Sequence, residues 1–519
     1  MALRDLRAFV SRHGLWIVSL ALIAVCIGII ATQNGLNYGY DGGNYLSYAE
    51  NIRAGHGLSQ RVSGFQSTQL VSWIIAWPPL YPMILALSGS VFAWARFLDV
   101  LMLTASVVLT YLIGVRVIGR SWAAAAAALV YLSIPTVLSE VFSTPLSETV
   151  FTVLALAIVL LMTQLRLGEP ARSLRPALYA AALAAFAMLT RYLGLTLVVG
   201  MTLYSLLWAL TLRSRRRWLP VLFFALSTIP LGLYALYLKG LTGSFTGAQE
   251  TDAYLKLSHI PESLHQMSLQ LLHGGIFLGT LFGLRTNWWI VAVVALVLIG
   301  IALAAWRHRA LLRPAFNSAD ILLVVYIVTY IGGFWVLGAR SHYIVADWRH
   351  YVPIYPAILV LIFHLLATLR INRILISAVV VLYCVSGVAA LPRTLEGGYW
   401  NTTPWRTDPI VAQLPSLIPA GTLVHSNEIG YLALHLGIET SIRVFGGEAG
   451  FQEYQCSQLT YPTEFSTAAF TLFDSNMLRG MTPEAAKTYF TTWASPCGTV
   501  ENVVSDSFAM VMVVHLNGR

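Results

Sequence analysis

The stretch Tyr38 to Ser59, YGYDGGNYLSYAENIRAGHGLS, places an acid, Asp41, in a Gly-rich segment just beyond the first apolar run. It is the chain's best candidate for chemistry, because Gly42 and Gly43 let a ligand come close to the backbone beside a carboxylate. The same residues also make a purely structural turn. Asp41 would then close an Asx turn, with Asn44 capping a short helix whose apolar positions, Tyr45, Tyr48, Ala49 and Ile52, recur at helical spacing. The residues alone leave both readings open. Two cations stand apart in the same way. Arg191 in Thr190-Arg191-Tyr192 and Arg349 in Trp348-Arg349-His350-Tyr351 can hold an anion or snorkel to lipid headgroups. His342 and His350 flank Asp347, so a divalent ion held by Asp347 and one of them is an alternative; the histidines otherwise form no ligand pattern, and no metal is expected.

The elements that position these residues are set by the solvent. Of 519 residues 57% are hydrophobic and 11% charged, with mean hydropathy +0.70, against roughly 25% charged in a soluble domain. The chain belongs in a bilayer. A net charge of +9 could suggest nucleic acid, but the arginines sit in short clusters between apolar runs of membrane-crossing length. Those runs are 14–33, 92–115, 121–139, 146–165, 174–190, 192–212, 218–238, 286–306, 319–338, 352–369 and 371–391, which predicts eleven transmembrane helices. Arg4, Arg7 and Arg12; Arg116 and Arg120; Arg166, Arg172 and Arg175; Arg213 and Arg215 to Arg217; Arg307, Arg309 and Arg313; and Arg370 and Arg373 fall on one side. The positive-inside rule makes that side cytoplasmic, with the N-terminus, and puts the C-terminal tail outside. Arg191 and Arg349 lie on the other side, where the rule gives no reason for arginine.

The outer face carries the polar complexity: a first loop at 34–91, a loop at 239–285, one at 339–351, shorter turns, and everything after Leu391. Irregular polar backbone is tolerated only where water or protein satisfies it, so function is expected there. The first apolar run is too long for a signal-peptide core, and Gln33-Asn34-Gly35-Leu36 is no small-residue cleavage site, so it reads as a membrane helix. Residues 1–391 form the membrane domain. The tail, 392–519, reads as a small soluble α/β domain, with strands at 422–425 and 508–515 and a helix at 430–436. Cys26 and Cys384 lie in spans as packing residues; Cys456 and Cys497 lie in the outer tail, where disulfides persist and a bond between them fits. Arg96 and Asp99, three residues apart at the start of the second span, are expected to form a local ion pair. His56 reads as a polar-loop residue and His364 as a packed one.

A resemblance covers about 38–370. In order, YDGGNYLSYAENIRAGHGLS, WPPLYPMILALSG, WARFLDVLMLTASVVLTYLIG, PLSETVFTVLAL, LTRYLGLTLVV and WRHYVPIYPAILVL resemble the GT-C membrane glycosyltransferases. The pattern is most similar to the branch of protein O-mannosyltransferases and the lipid A aminoarabinose transferase. It implies a GT-C fold and a polyprenyl-phosphate sugar donor used on the outer face. It also implies an acid of the first outer loop serving the acceptor, which falls on Asp41. A second acid at the start of the fourth span falls on Glu148, with Glu140 as its rival.

On that resemblance the chain is an inverting glycosyltransferase of the cell envelope whose acceptor is a lipid, glycan or protein. An acceptor hydroxyl needs a positioned carboxylate to take its proton as it attacks, and Asp41 is given that role. Inversion is one displacement, so one base suffices. The departing lipid phosphate needs cations, assigned to Arg191 and Arg349, then Arg340 and Tyr351, with His342 and Tyr343 behind them. The rival class is a transporter or flippase of lipid-linked sugars, whose marks would be inverted repeats and charges buried mid-span. Neither is evident in the sequence.

Overall fold

A computed structural model describes residues 3–33, 35–36, 40–60, 72–73, 77–167, 175–211, 218–242, 245, 259–273, 276, 317–338, 348–395, 407–419, 422–426, 441–443, 466–473, 478 and 481–517. The chain divides into two compact units. The first comprises Met1–Gln33, Ile75–Tyr81 and Arg96–Leu395; the second comprises Asn34–Ile74, Pro82–Ala95 and Glu396–Arg519.

The first unit is helical, and its helices fall on the apolar runs except the one at His259–Leu271, which lies in the expected outer loop at 239–285. α1 (Leu3–Ala31) opens the chain, and α4 (Val91–Ile118) enters this unit at Arg96. There follow α5 (Ser121–Leu132), α6 (Ser147–Met162), α7 (Arg175–Thr190), α8 (Gly194–Thr211) and α9 (Leu219–Thr242). α10 (His259–Leu271), α11 (Ser318–Gly338), α12 (Tyr355–Thr368) and α13 (Arg373–Leu395) complete it. Among the described residues six of these are long and apolar enough to cross a membrane, and α5, α6, α7 and α12 are shorter apolar helices. The chain is a multi-pass membrane protein. The expected span at 286–306 lies outside the described residues.

In a bilayer apolar burial does not draw helices together, so close packing must. α5 carries Ala123 to Ala128, all buried, a run with high helix propensity and little bulk. α8 and α11 interlock reciprocally: a Cβ on Gly200 would collide with Thr329, and one on Gly333 with Thr196.

One expected span is corrected. The run 121–139 is not continuous helix: α5 stops at Leu132 and a π-helical turn, Val137–Val141, follows. Pro135 lacks the amide that would continue the ladder and disfavours helical backbone at Ile134.

In the second unit α2 (Tyr40–Arg53) is followed by an antiparallel two-stranded pair, β1 (Ser59–Gln60) with β2 (Ser72–Trp73), and α3 (Leu80–Leu85) enters this unit at Pro82. The tail forms a five-stranded sheet ordered β4-β3-β5-β7-β6. β3 (Leu423–Ser426) lies parallel to β4 (Ser441–Arg443) and β5 (Thr467–Phe473), while β7 (Ala509–Leu516) runs antiparallel to β5 and β6 (Gly498–Ser505). Alternate residues Phe470, Leu472, Met510 and Met512 join Phe490 and Ala494 of α15 (Pro483–Ala494) in one core. α14 (Pro409–Leu417) is capped by Asp408, which accepts from the amides of Ile410 and Val411 at 2.9 Å each. The expected helix at 430–436 lies outside the described residues. Cys497 is disulfide-bonded, Cys26 and Cys384 are free, and Cys456 lies outside the described residues.

Candidate active site

Glu148 is the centre of a buried polar cluster in the first unit. It sits in the first turn of α6, 1% exposed, where Leu146 turns the chain from extended backbone into the helix. Arg191 occupies the tight link between α7 and α8. Its amide donates to Ala187 O at 2.9 Å and its carbonyl accepts from Gly194 N at 2.8 Å. A Cβ on Gly194 would stand 2.7 Å from the Met188 backbone, so this link closes only around glycine. Arg349 and His350 come from a single 3-10 turn, Trp348–Tyr351, ahead of α12.

Arg191 Nη1 pairs directly with Glu148 Oε2 and also donates to Ser147 Oγ at 3.1 Å. Arg349 Nε stands 3.7 Å from Glu148 Oε1. Arg191 Nη2 lies 3.2 Å from His350 Nδ1, which is itself 3.6 Å from Glu148 Oε1. The carboxylate side chain is 2% exposed, whereas those of Arg191 and Arg349 are 17% and 23% exposed, so the acid is the floor of the cluster and the guanidiniums are partly exposed. Tyr330 Oη donates to His350 O at 2.7 Å, and the Phe334 ring lies 5.3 Å from both the His350 and Tyr351 rings. Burial first, then the Arg191 charge, pushes the His350 imidazole well below its ordinary pKa, against the opposite pull of Glu148. His350 is therefore neutral at physiological pH.

Sequence positions 148, 191 and 349 thus meet in one cluster. Reading the chain missed two of its members, Ser147 and His350; the latter entered only as a metal alternative. The available signal was adjacency, since Ser147 precedes Glu148 and His350 follows Arg349 in the same turn. Tyr351 is buried with its ring edge-on to Phe334. Glu140 lies in the π-helical turn. Arg340, His342, Tyr343 and Asp347 lie outside the described residues. Among the described residues no group of three or more His, Cys, Asp or Glu is placed to hold a metal ion.

Asp41, in the second unit, requires a correction. α2 begins at Tyr40, so Asp41 lies in its first turn, Gly42 and Gly43 are helical, and Asn44 is not the N-cap. An acid is favoured beside the helix N-terminus, and both glycines are buried, so packing outweighs their poor propensity. Tyr45 to Ala49 of α2 are all buried. Asn51 Nδ2 donates to Ser59 O at 3.0 Å, and Arg53 Nη1 to Gly89 O at 2.7 Å, which fixes the helix within its unit. The Asp41 side chain remains partly exposed.

A polytopic helical chain with this arrangement has the GT-C fold. It is similar to ArnT from Cupriavidus metallidurans bound to undecaprenyl phosphate, at 15% identity over 96% of this chain and 98% of that one, TM-score 0.61. The apo state of ArnT from the same organism gives 14% identity over 97% and 98%, TM-score 0.62. No family model and no curated protein matches the chain.

Proposed function

We propose that this protein is an inverting glycosyltransferase that moves a sugar from a polyprenyl-phosphate donor to an acceptor hydroxyl at the outer face of the membrane. The observation that carries this is the Glu148, Arg191, Arg349 and His350 cluster in a chain that shares the fold of ArnT, a protein crystallised with undecaprenyl phosphate. In the proposed reaction the acceptor oxygen attacks the anomeric carbon as its proton passes to a carboxylate, assigned to Asp41. The bond from that carbon to the phosphate oxygen breaks, and its electron pair leaves with the polyprenyl phosphate. Charge grows on the phosphate along this path, so contacts that strengthen with it lower the barrier.

Arg191 and Arg349 are the assigned phosphate ligands. Their shared anchoring by Glu148 supports this over snorkelling, since a snorkelling guanidinium extends to water and headgroups instead of being held on a buried carboxylate. Glu148 itself then acts as their counter-ion and spacer. This revises its expected role as a second catalytic acid, because its carboxylate already accepts from Arg191. The topology that goes with this reading keeps the N-terminus cytoplasmic and the C-terminal tail outside.

The test is reconstitution of the purified chain in lipid nanodiscs with undecaprenyl-phosphate-linked sugars and a mixture of lipid, glycan and peptide acceptors. Release of undecaprenyl phosphate with inversion at the sugar supports the reading. A chain that neither binds undecaprenyl phosphate nor releases it from any donor overturns it.

A further inference from the structure

The imidazole of His350, a member of the cluster, is given no task above. We propose that His350 is a positioning residue for Arg191, its Nδ1 being the acceptor that holds the guanidinium in the orientation that receives a phosphate. This rests on the donor reading above and adds to it a residue that does not itself touch phosphate.

Arginine has only donors, so the 3.2 Å contact between Arg191 Nη2 and His350 Nδ1 places the proton on the guanidinium and the lone pair on the ring. The neutral imidazole then carries its own hydrogen on Nε2. A hydrogen on Nδ1 would have to point at Glu148 Oε1, and at 3.6 Å that contact is too long for a hydrogen bond. One tautomer is therefore selected. Arg191 is in consequence held at both terminal nitrogens: Nη1 by Glu148 and Ser147, Nη2 by the ring. Ring position is itself over-determined. The Tyr330 hydroxyl binds the His350 carbonyl, Phe334 packs on the ring, and the side chain is 8% exposed. A planar guanidinium fixed at two corners presents its remaining edge in one direction, which lowers the cost of ordering it when an anion arrives.

The tautomer gives a sharp test. The side-chain carbonyl of Asn can take the place of Nδ1, whereas that of Gln reaches farther, toward the place of Nε2. Affinity for undecaprenyl phosphate in nanodiscs would be measured for wild type, His350→Asn, His350→Gln and His350→Ala, with kcat and KM for the donor alongside. His350→Asn is expected to stay within about threefold of wild type, while Gln and Ala lose roughly tenfold or more, the scale of one hydrogen bond to a charged group. Turnover should fall with affinity for Gln and Ala. Because Asn and Gln both remove the ring, a general packing defect would affect them alike. Equal loss in the two, or no loss in either, overturns the proposal. Failure of the wild type to bind undecaprenyl phosphate is a separate result, which overturns the donor reading and this inference with it.

Discussion

Arg96 and Asp99 stand one helical turn apart on α4 and do not pair. Arg96 Nε donates to Thr32 Oγ1 at 3.1 Å, past the end of α1, while the fully buried Asp99 carboxyl faces Thr149 in the first turns of α6. The expected ion pair is corrected because each side chain reaches a different neighbouring helix. Arg96→Ala should cost about 1 kcal/mol through the lost Thr32 contact, and Asp99→Asn should cost no more than that. Thermal unfolding of the double variant should show additivity within about 0.5 kcal/mol. A larger coupling would restore the pair.

Glu148→Gln removes the floor charge while keeping its shape. Two guanidiniums then face each other over a buried amide, and breaking a buried pair on one side costs about 3 to 5 kcal/mol. A loss of donor binding with lowered thermal stability is expected, and restored binding in Glu148→Asp would show the charge to be the cause. Wild-type affinity in Glu148→Gln would separate the carboxylate from the phosphate site.

Arg349→Lys keeps one charge and loses the planar fork. Donor affinity and turnover should both fall, and further in Arg349→Ala. Snorkelling predicts a nearly neutral Lys. Combined loss of Arg191 and Arg349 should be less than additive, since in the proposed reaction both serve one phosphate.

Asp41→Asn should lower transfer by about 10² to 10⁴ with undecaprenyl phosphate binding kept, because the amide cannot take a proton. Near-normal turnover in nanodiscs would remove Asp41 from the chemistry.

In the C-terminal sheet, His425 is buried on β3 with its ring stacked on Phe470 at 5.0 Å, and burial lowers its pKa to about 3. Its neutral form is the folded form. Stability is complete above the ordinary histidine pKa of about 6.5 and is lost by about 1.4 kcal/mol per pH unit as pH falls toward 3. Protection factors of the β3 and β5 amides in the full chain, that is, exchange rates corrected for the intrinsic pH dependence, should fall between pH 6 and pH 4, and His425→Leu should flatten that dependence.

What the sequence made legible follows from which interactions are local. Hydropathy located α1, α4 to α9 and α11 to α13 because a bilayer demands about 20 apolar residues per crossing wherever the chain lies. The strand at 422–425 was visible from its neighbours for a similar reason. The end of α5 was misjudged because apolarity continues through Pro135 although the ladder does not. The start of α2 was misplaced because burial of Gly42 and Gly43, a tertiary fact, overrode their propensity. That the cluster's members pair with one another had no local signature. Glu148, Arg191 and His350 come from three separate segments, and only packing shows that the acid is the arginines' counter-ion.

The glycine that closes the α7 to α8 link has a consequence for how this protein tolerates change. Met188 backbone leaves no room for a Cβ at Gly194, so a larger residue there must open the link and swing Arg191 off the carboxylate. In a library of all single substitutions selected for transfer, position 194 should be as depleted as position 191, although glycine offers no side chain to the reaction. Exposed apolar positions nearby, such as Leu195 and Val199, should accept most hydrophobic replacements.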